Sequence, residues 1–379
     1  MSDKKLIDLL QPHLLEAPPY VPVQPPEVLA ERLGLPVERI IKLDANENQY
    51  GPSPRALDAL ARARSYHIYP DPAQVKLRKA LAGYVGYDPS WVLAGAGSDE
   101  LIELCVRMFV PPGGAILNFP PTFGMYTFLA GVLVGKQSAV SVPRRDDFSL
   151  DLDAVLAAAE RASLIFAVSP NNPTGTPLTR RELDALLDTG KPVVVDEAYA
   201  EFAGESYVDL VKTHPALIVI RTLSKWAGLA GLRVGYMVCD PAVVEVAMRI
   251  KQPYSVNVAA ELASLASLQD LSLLQQRVGL IVKERERLAG LLNALPGFEV
   301  TPSRANFILC KLVDVDAKTV HAKLTARGIM VRQYDSSLLV NHLRISVGRP
   351  EQDDLVIAAL KEILGELGVT QPVHATPPL

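Results

Sequence analysis

Cysteine is scarce in this chain. Three occur in 379 residues, Cys105, Cys239 and Cys310, each in an apolar run and far from the others. So spaced they form no metal motif and read as small buried hydrophobes. The six histidines are scattered; no HExxH pair or Cys/His cluster is present, and no metal site is expected. No apolar run approaches the ~20 residues of a membrane helix. The first residues lack a following apolar signal core, so a cytoplasmic location is the expectation. Neither sign of charge is in excess, with a net charge of -4. Nothing points to a nucleic-acid or membrane partner. What remains is an ordinary soluble composition, 49% hydrophobic and 21% charged. The length suits two domains, or one large domain with a smaller companion.

Against that background one stretch carries chemistry. Thr222-Leu223-Ser224-Lys225 follows an apolar run at 216–220, and Gly228, Gly231 and Arg233 come next. A lysine amine attacks aldehydes once it sheds its proton, and burial lowers its pKa. Hydroxyls before it and an arginine after it suit a phosphate. An aldehyde carrying a phosphate describes pyridoxal phosphate. Taken alone, the stretch reads equally as a surface lysine in a Ser/Thr loop, because a motif needs its context.

The first 30 residues combine an amphipathic start (Leu6, Ile7, Leu9, Leu10) with a proline-dense arm at 18–26. Such an arm is neither a helix interior nor a central strand. Tyr20 within it reads first as packing. Ser53 caps a helix from Pro54 to about residue 63. A turn, YHIYPDP, precedes a helix at 73–84. Residues 91–94 form a strand. Gly95-Ala96-Gly97 then turns into a helix opened by Ser98-Asp99, and its free N–H groups and dipole would seat a phosphate. Strand 115–119 leads to a loop where Phe123 and Tyr126 could stack on a flat ligand, although aromatics there are more often core.

Strand 164–168 ends in SPNNPTG, a rigid turn with X-Pro bonds that can be cis. Thr179 caps a helix through residue 187. Strand 192–195 delivers Asp196, which is either a loop-start acid or a partly desolvated carboxylate in want of a cation. Residues 258–292 read as one long helical region with a solvated charged face. Strands at 307–312, 329–332 and 342–348 then alternate with helices as a small α+β domain. Arg332 and Arg344 lie on those strands in apolar surroundings. A guanidinium there needs an anion, from a ligand or from an internal ion pair. The last residues, 369–379, are proline-rich and read as a loose tail.

From 91 to 238, strand and helix alternate. That pattern predicts an α/β fold, a mostly parallel sheet with helices on both faces and its site at the C-terminal strand ends. Gly97-Ser98-Asp99, Phe123, Asn172, Asp196, Tyr199, Ser224 and Lys225 then gather on one edge. Each signal is weak, but their coincidence is not. The set GSDE, PTFGMY, SPNNPTG, VDEAYAEF, TLSKWAGLAGLR and LRISVG spans nearly the whole chain. It resembles the fold-type I aminotransferases and, within them, the histidinol-phosphate aminotransferases. ANEN, PTFGMY and the arginine pair carry the finer likeness.

The resemblance implies an aspartate aminotransferase-like fold. An arm at 1–49 would join the small domain, a large domain at 50–260 would surround a seven-stranded sheet, and a small domain would occupy 261–379. It implies pyridoxal 5'-phosphate as cofactor and a homodimer. Lys225 looks like the lysine that bonds the cofactor aldehyde and moves the proton at the substrate Cα. Asp196 resembles the acid that keeps the ring nitrogen protonated, and Asn172 and Tyr199 match the pair on the ring oxygen. Backbone N–H groups of Ser98 and Asp99, the hydroxyls of Thr222 and Ser224, and Arg233 would hold the phosphate. Phe123 stands where the stacking aromatic is more commonly tyrosine. Tyr69 matches a tyrosine reaching the neighbouring subunit's phosphate, although His67-Ile68 replaces the usual Asn-Arg before it. Arg344 and Arg332, with Asn172 and Tyr20, would bind substrate. The implied reaction passes an amino group between L-histidinol phosphate and 2-oxoglutarate. Aromatic amino-acid transamination and threonine-phosphate decarboxylation use the same scaffold and stay open. A non-enzymatic regulator would be expected to lose Lys225, Asp196, Asn172 or Arg344, and all four are kept.

Overall fold

Val193–Asp196 and Leu217–Thr222 are buried at every position, as is Leu164–Val168. Apolar runs without polar alternation belong in a sheet covered on both faces. The structure, a computed structural model, describes residues 5–17, 19, 20 and 22–369. Pro18 and Val21 of the arm and residues 370–379 of the expected tail lie outside the described residues.

The strands in chain order are β1 (Ile41–Lys42), β2 (Val92–Gly95), β3 (Ile116–Asn118), β4 (Ala139–Ser141), β5 (Leu164–Val168), β6 (Val193–Asp196), β7 (Leu217–Thr222), β8 (Gly235–Val238), β9 (Phe298–Val300), β10 (Phe307–Leu312), β11 (Ile329–Met330), β12 (Arg332–Gln333) and β13 (His342–Ser346). Seven form one sheet in the order β2-β8-β7-β6-β5-β3-β4. Its pairings are parallel except at β8, which runs against both β7 and β2. β2 therefore points the same way as the parallel strands. The expected mostly parallel seven-stranded sheet is present.

Side chains alternate across the sheet, as the strand period of two requires. Ile165, Val193, Val195 and Val219 enter one core, and Leu164, Phe166, Val194 and Ile218 enter another on the opposite face. A second, antiparallel sheet runs β12-β13-β10-β9, and β1 pairs with β11 beside it. Leu43 from the N-terminal segment is buried in that C-terminal core. The two cores meet inside helix Leu271–Asn293. Its Leu274, Val278 and Ile281 belong to the large core, and Leu288 and Leu292 to the small one. That junction lies past the boundary expected at residue 260.

Three local readings need correction. The helical region at 258–292 is two helices, Val258–Leu268 and Leu271–Asn293. The break lets the first pack on Pro54–Arg62 and Val75–Val85 while the second crosses to the small domain. Its charged face is not wholly solvated, because Glu284 and Arg285 are buried and Arg285 donates to the Ala305 and Phe202 carbonyls. Tyr126 lies not in a loop but in helix Met125–Leu133, fully buried.

Candidate active site

The C-terminal ends of β3, β5, β6 and β7 share one edge with the start of helix Gly97–Phe109. Lys225 stands three residues past β7. Its Nζ donates to the Ala45 carbonyl at 2.9 Å. Burial, and then the Arg344 guanidinium, push its amine down to about 8, with Glu47 opposing.

Asp196 ends β6 between Val168 and Ile220 and is 3% exposed. The Tyr126 hydroxyl donates to its Oδ2 at 2.7 Å, and the Ala198 N–H to its Oδ1 at 3.0 Å. Burial raises the carboxyl to about 6, and these two bonds restrain the rise. Tyr199 is buried and accepts from Asn46 Nδ2 at 2.9 Å. Burial lifts its phenol to about 12, against the pull of Arg344 and the Asn46 bond. Asn46 is itself fixed, its N–H donating to Ser346 Oγ and its carbonyl accepting from Asn306.

The two asparagines of SPNNPTG differ in use. Asn171 is enclosed, donating to the Pro121 carbonyl and to Thr174 Oγ1. Asn172 offers its Oδ1 to Arg344 Nη1 at 2.5 Å. Arg344 Nη2 donates to the Asp44 carbonyl at 2.5 Å, and its Nε has no partner. Arg332 is directly opposite Arg344 in the β12–β13 register, so both guanidiniums leave the same face. Among the described residues neither pairs with a carboxylate. Tyr334 lies in the field of both arginines and of Tyr20. Tyr20 is 48% exposed, its ring 6.0 Å from that of Phe128.

Because β8 runs backwards, Arg233 just before it meets the start of helix Gly97–Phe109. Its Nη2 bonds Asp99 Oδ2 at 3.0 Å. Two glycines make a cradle there. A Cβ on Gly97, at φ +82°, would lie 2.6 Å from Arg233 Nη2, and one on Gly235 would lie 2.7 Å from the Ser98 nitrogen. The N–H groups of Ser98 and Asp99, in the first helical turn, have no intrahelical acceptor. The Thr222 hydroxyl donates to the Val234 carbonyl at 3.0 Å, with Ser224 Oγ 2.9 Å away. Phe123 meets Tyr126 edge-on at 5.7 Å.

The structure thus brings Ser98, Asp99, Phe123, Asn172, Asp196, Tyr199, Thr222, Ser224, Lys225, Arg233 and Arg344 to one region. It does not bring Tyr69 there: that side chain is 79% exposed and stacks on Tyr254 at 4.7 Å. Sequence reasoning missed Asn46, Ser346 and the Tyr126 hydroxyl. Asn46 lies within ANEN, which marked a likeness without assigning a contact. Among the described residues no helix is long and apolar enough to cross a membrane, and no group of acidic, His or Cys side chains is placed to hold a metal ion.

The donor set fits pyridoxal phosphate. It has a buried carboxylate for a ring nitrogen, an amine of lowered pKa, and a glycine-lined seat with N–H donors and an arginine for a phosphate.

Residues 38–360 match the family model "Aminotransferase class I and II". A histidinol-phosphate aminotransferase of Roseiflexus castenholzii is 52% identical, over 94% of this chain and 98% of its own. A chloroplastic histidinol-phosphate aminotransferase of Nicotiana plumbaginifolia is 46% identical, over 93% and 86%. Among solved structures, the histidinol-phosphate aminotransferase of Sinorhizobium meliloti in complex with pyridoxal-5'-phosphate superposes with a TM-score of 0.85. It is 28% identical, with 95% of this chain and 98% of that one covered. The chain belongs to the class I and II aminotransferases and, within them, to the histidinol-phosphate aminotransferase family.

Proposed function

We propose that this protein transfers an amino group between L-histidinol phosphate and 2-oxoglutarate, giving imidazole-acetol phosphate and L-glutamate. The observation that carries the substrate choice is Arg332 opposite Arg344, with no carboxylate paired to either among the described residues. Two such guanidiniums call for a dianion, each charge-assisted contact contributing roughly 1.5–3 kcal/mol. A substrate phosphate meets that demand, and so do the two carboxylates of glutamate in the return half-reaction. The relatives' names support the same choice.

Pyridoxal phosphate bound at this edge would supply an electrophilic carbon and an electron-withdrawing ring. Lys225 would hold it through its amine and, once released, take and return the proton at the substrate Cα. Asp196 would face the ring nitrogen, where a protonated neighbour offsets the burial that now raises its pKa. Tyr199 and Asn172 would bond the ring oxygen, and Phe123 would cover the ring. Ser98, Asp99, Thr222, Ser224 and Arg233 would bind the phosphate. Tyr20 would close the substrate side.

Tyr69, exposed and stacked on Tyr254, supports a homodimer in which it reaches the partner's phosphate site. A cytoplasmic location belongs to the same reading.

The test is single-turnover reaction of the cofactor-loaded protein with histidinol phosphate, phenylalanine and threonine phosphate side by side. Fastest conversion of histidinol phosphate is expected. Faster turnover of phenylalanine, or CO2 release from threonine phosphate, would overturn the assignment.

A further inference from the structure

Behind the phosphate seat a buried lysine and a half-buried glutamate are linked through a serine hydroxyl, and the reaction does not use them. Glu100 turns its Oε2 back to accept the Ala96 N–H at 2.6 Å and the Ser255 hydroxyl at 2.9 Å. Lys251 Nζ donates to Ser255 Oγ at 2.7 Å and is only 6% exposed. Its other neighbour is Gln74, which is wholly buried. With its amide oriented to satisfy both sides, Gln74 accepts from Lys251 at 3.2 Å and donates to the Ala94 carbonyl at 3.1 Å. One ammonium thus anchors two arms, and they grip the seat's turn on either side of Gly95. No Cβ fits there, since it would lie 2.9 Å from Glu100 Oε2.

We propose that Lys251 and Glu100 are positioning residues for the phosphate seat. Glu100 aims the turn at residues 94–99, and Lys251 supplies the countercharge that lets it do so without repelling a phosphate. The inference rests on the reading of that turn as the cofactor's phosphate site. The electrostatics require the pair. A dianion entering the seat meets two adjacent carboxylates, Asp99 and Glu100. Asp99 is answered by Arg233 at 3.0 Å. Among the described residues, the cation that answers Glu100 is Lys251, through the Ser255 hydroxyl. A half-buried carboxylate this close to a bound dianion repels it unless a cation lies nearby, because screening by water is incomplete there. Burial lowers the Lys251 pKa and Glu100 holds it up, as a matched pair should.

The test is equilibrium binding to cofactor-free protein, comparing pyridoxal phosphate with pyridoxal, which lacks the phosphate. Lys251→Met is expected to weaken pyridoxal phosphate by about tenfold or more and to leave pyridoxal unchanged. Adding Glu100→Gln should recover most of the loss, because the unanswered carboxylate is gone. Equal weakening of both ligands, or no weakening of either, overturns the proposal and leaves the pair a scaffold element. Wild-type protein that binds neither ligand would remove the cofactor reading itself, a distinct result that takes the proposal with it. Should Lys251→Met fail to fold, Glu100→Gln alone decides. It keeps the acceptor and removes the negative charge while the Lys251 ammonium stays. Tighter pyridoxal phosphate with unchanged pyridoxal is therefore expected, and unchanged or weaker pyridoxal phosphate overturns the proposal.

Discussion

The Tyr126 hydroxyl donates a hydrogen bond to Asp196 Oδ2 at 2.7 Å, and both side chains are buried. The bond opposes the burial that raises the carboxyl to about 6. Tyr126→Phe leaves that oxygen short of a donor, so the Asp196 pKa should climb further. The acid limb of kcat/KM against pH is then expected to move upward, and stability to fall by about 1–3 kcal/mol. Superimposable pH profiles for the two proteins would show that this bond does not set the ionisation.

Lys225 attacks an aldehyde only as the free amine. Capture of pyridoxal phosphate by cofactor-free protein should therefore quicken with pH and level off above about 8. Arg344 is the strongest cationic influence on that amine. Arg344→Gln removes it, so the Lys225 pKa rises and the whole profile shifts to higher pH. Stopped-flow absorbance reads both curves, and an unmoved midpoint would show that the two groups are not coupled.

The arginine pair should separate the two substrates. Arg332→Leu is expected to raise KM for histidinol phosphate by roughly 10- to 100-fold, the loss of one charge-assisted contact. Its effect on glutamate should be smaller. Arg344→Leu should impair both, since Arg344 also bonds Asn172 and the Asp44 carbonyl. Steady-state kinetics with each substrate in turn decides the matter. Equal effects of Arg332→Leu on both would place it outside phosphate recognition.

Asp353 offers a stability test away from the site. It is fully buried, accepts from the Gly348 N–H at 3.0 Å, and lies beside Glu284, whose carboxylate pairs with Arg287. Burial, and next Glu284, raise its carboxyl from 3.8 to about 8. The folded chain therefore keeps a proton that the unfolded chain has lost. This contribution is complete below the unfolded value near 3.8 and drains away as pH rises to about 8. Asp353→Asn keeps the neutral form at every pH. It should match wild type near the acid end of that window and exceed it by roughly 1–3 kcal/mol above pH 8. Urea unfolding at both ends measures this, and parallel pH curves for the two proteins would refute it.

Much of this fold was legible because its signals are local. The valine run before Asp196, the Ser53 cap and the Thr179 cap each act within a few residues, and each is present. Elements without a local signal were not legible. Ala139–Ser141 is an edge strand with largely exposed side chains, so it shows no hydrophobic pattern. The break at Gln269-Asp270 contains neither glycine nor proline, and packing on two different cores places it. Arg285 looks like any helix-surface arginine until two distant carbonyls enclose it.

The candidate site divides along the same line. The sequence alone determined which residue types stand at the strand ends, because hydrophobic runs set strand positions and a parallel sheet sends their C-terminal ends to one edge. Lys225, Asp196 and Asn172 follow from that. Only the tertiary structure decided what each of them touches. Asn46 meets Tyr199 and Arg344 meets Asp44 because β1 pairs with β11, a contact between opposite ends of the chain. Arg332 faces Arg344 because of an antiparallel register, and a shift of one residue would have turned one of them to the other face. Residue type is written in one dimension. Register, burial and the pKa values they impose arise only when distant segments exclude water from one another.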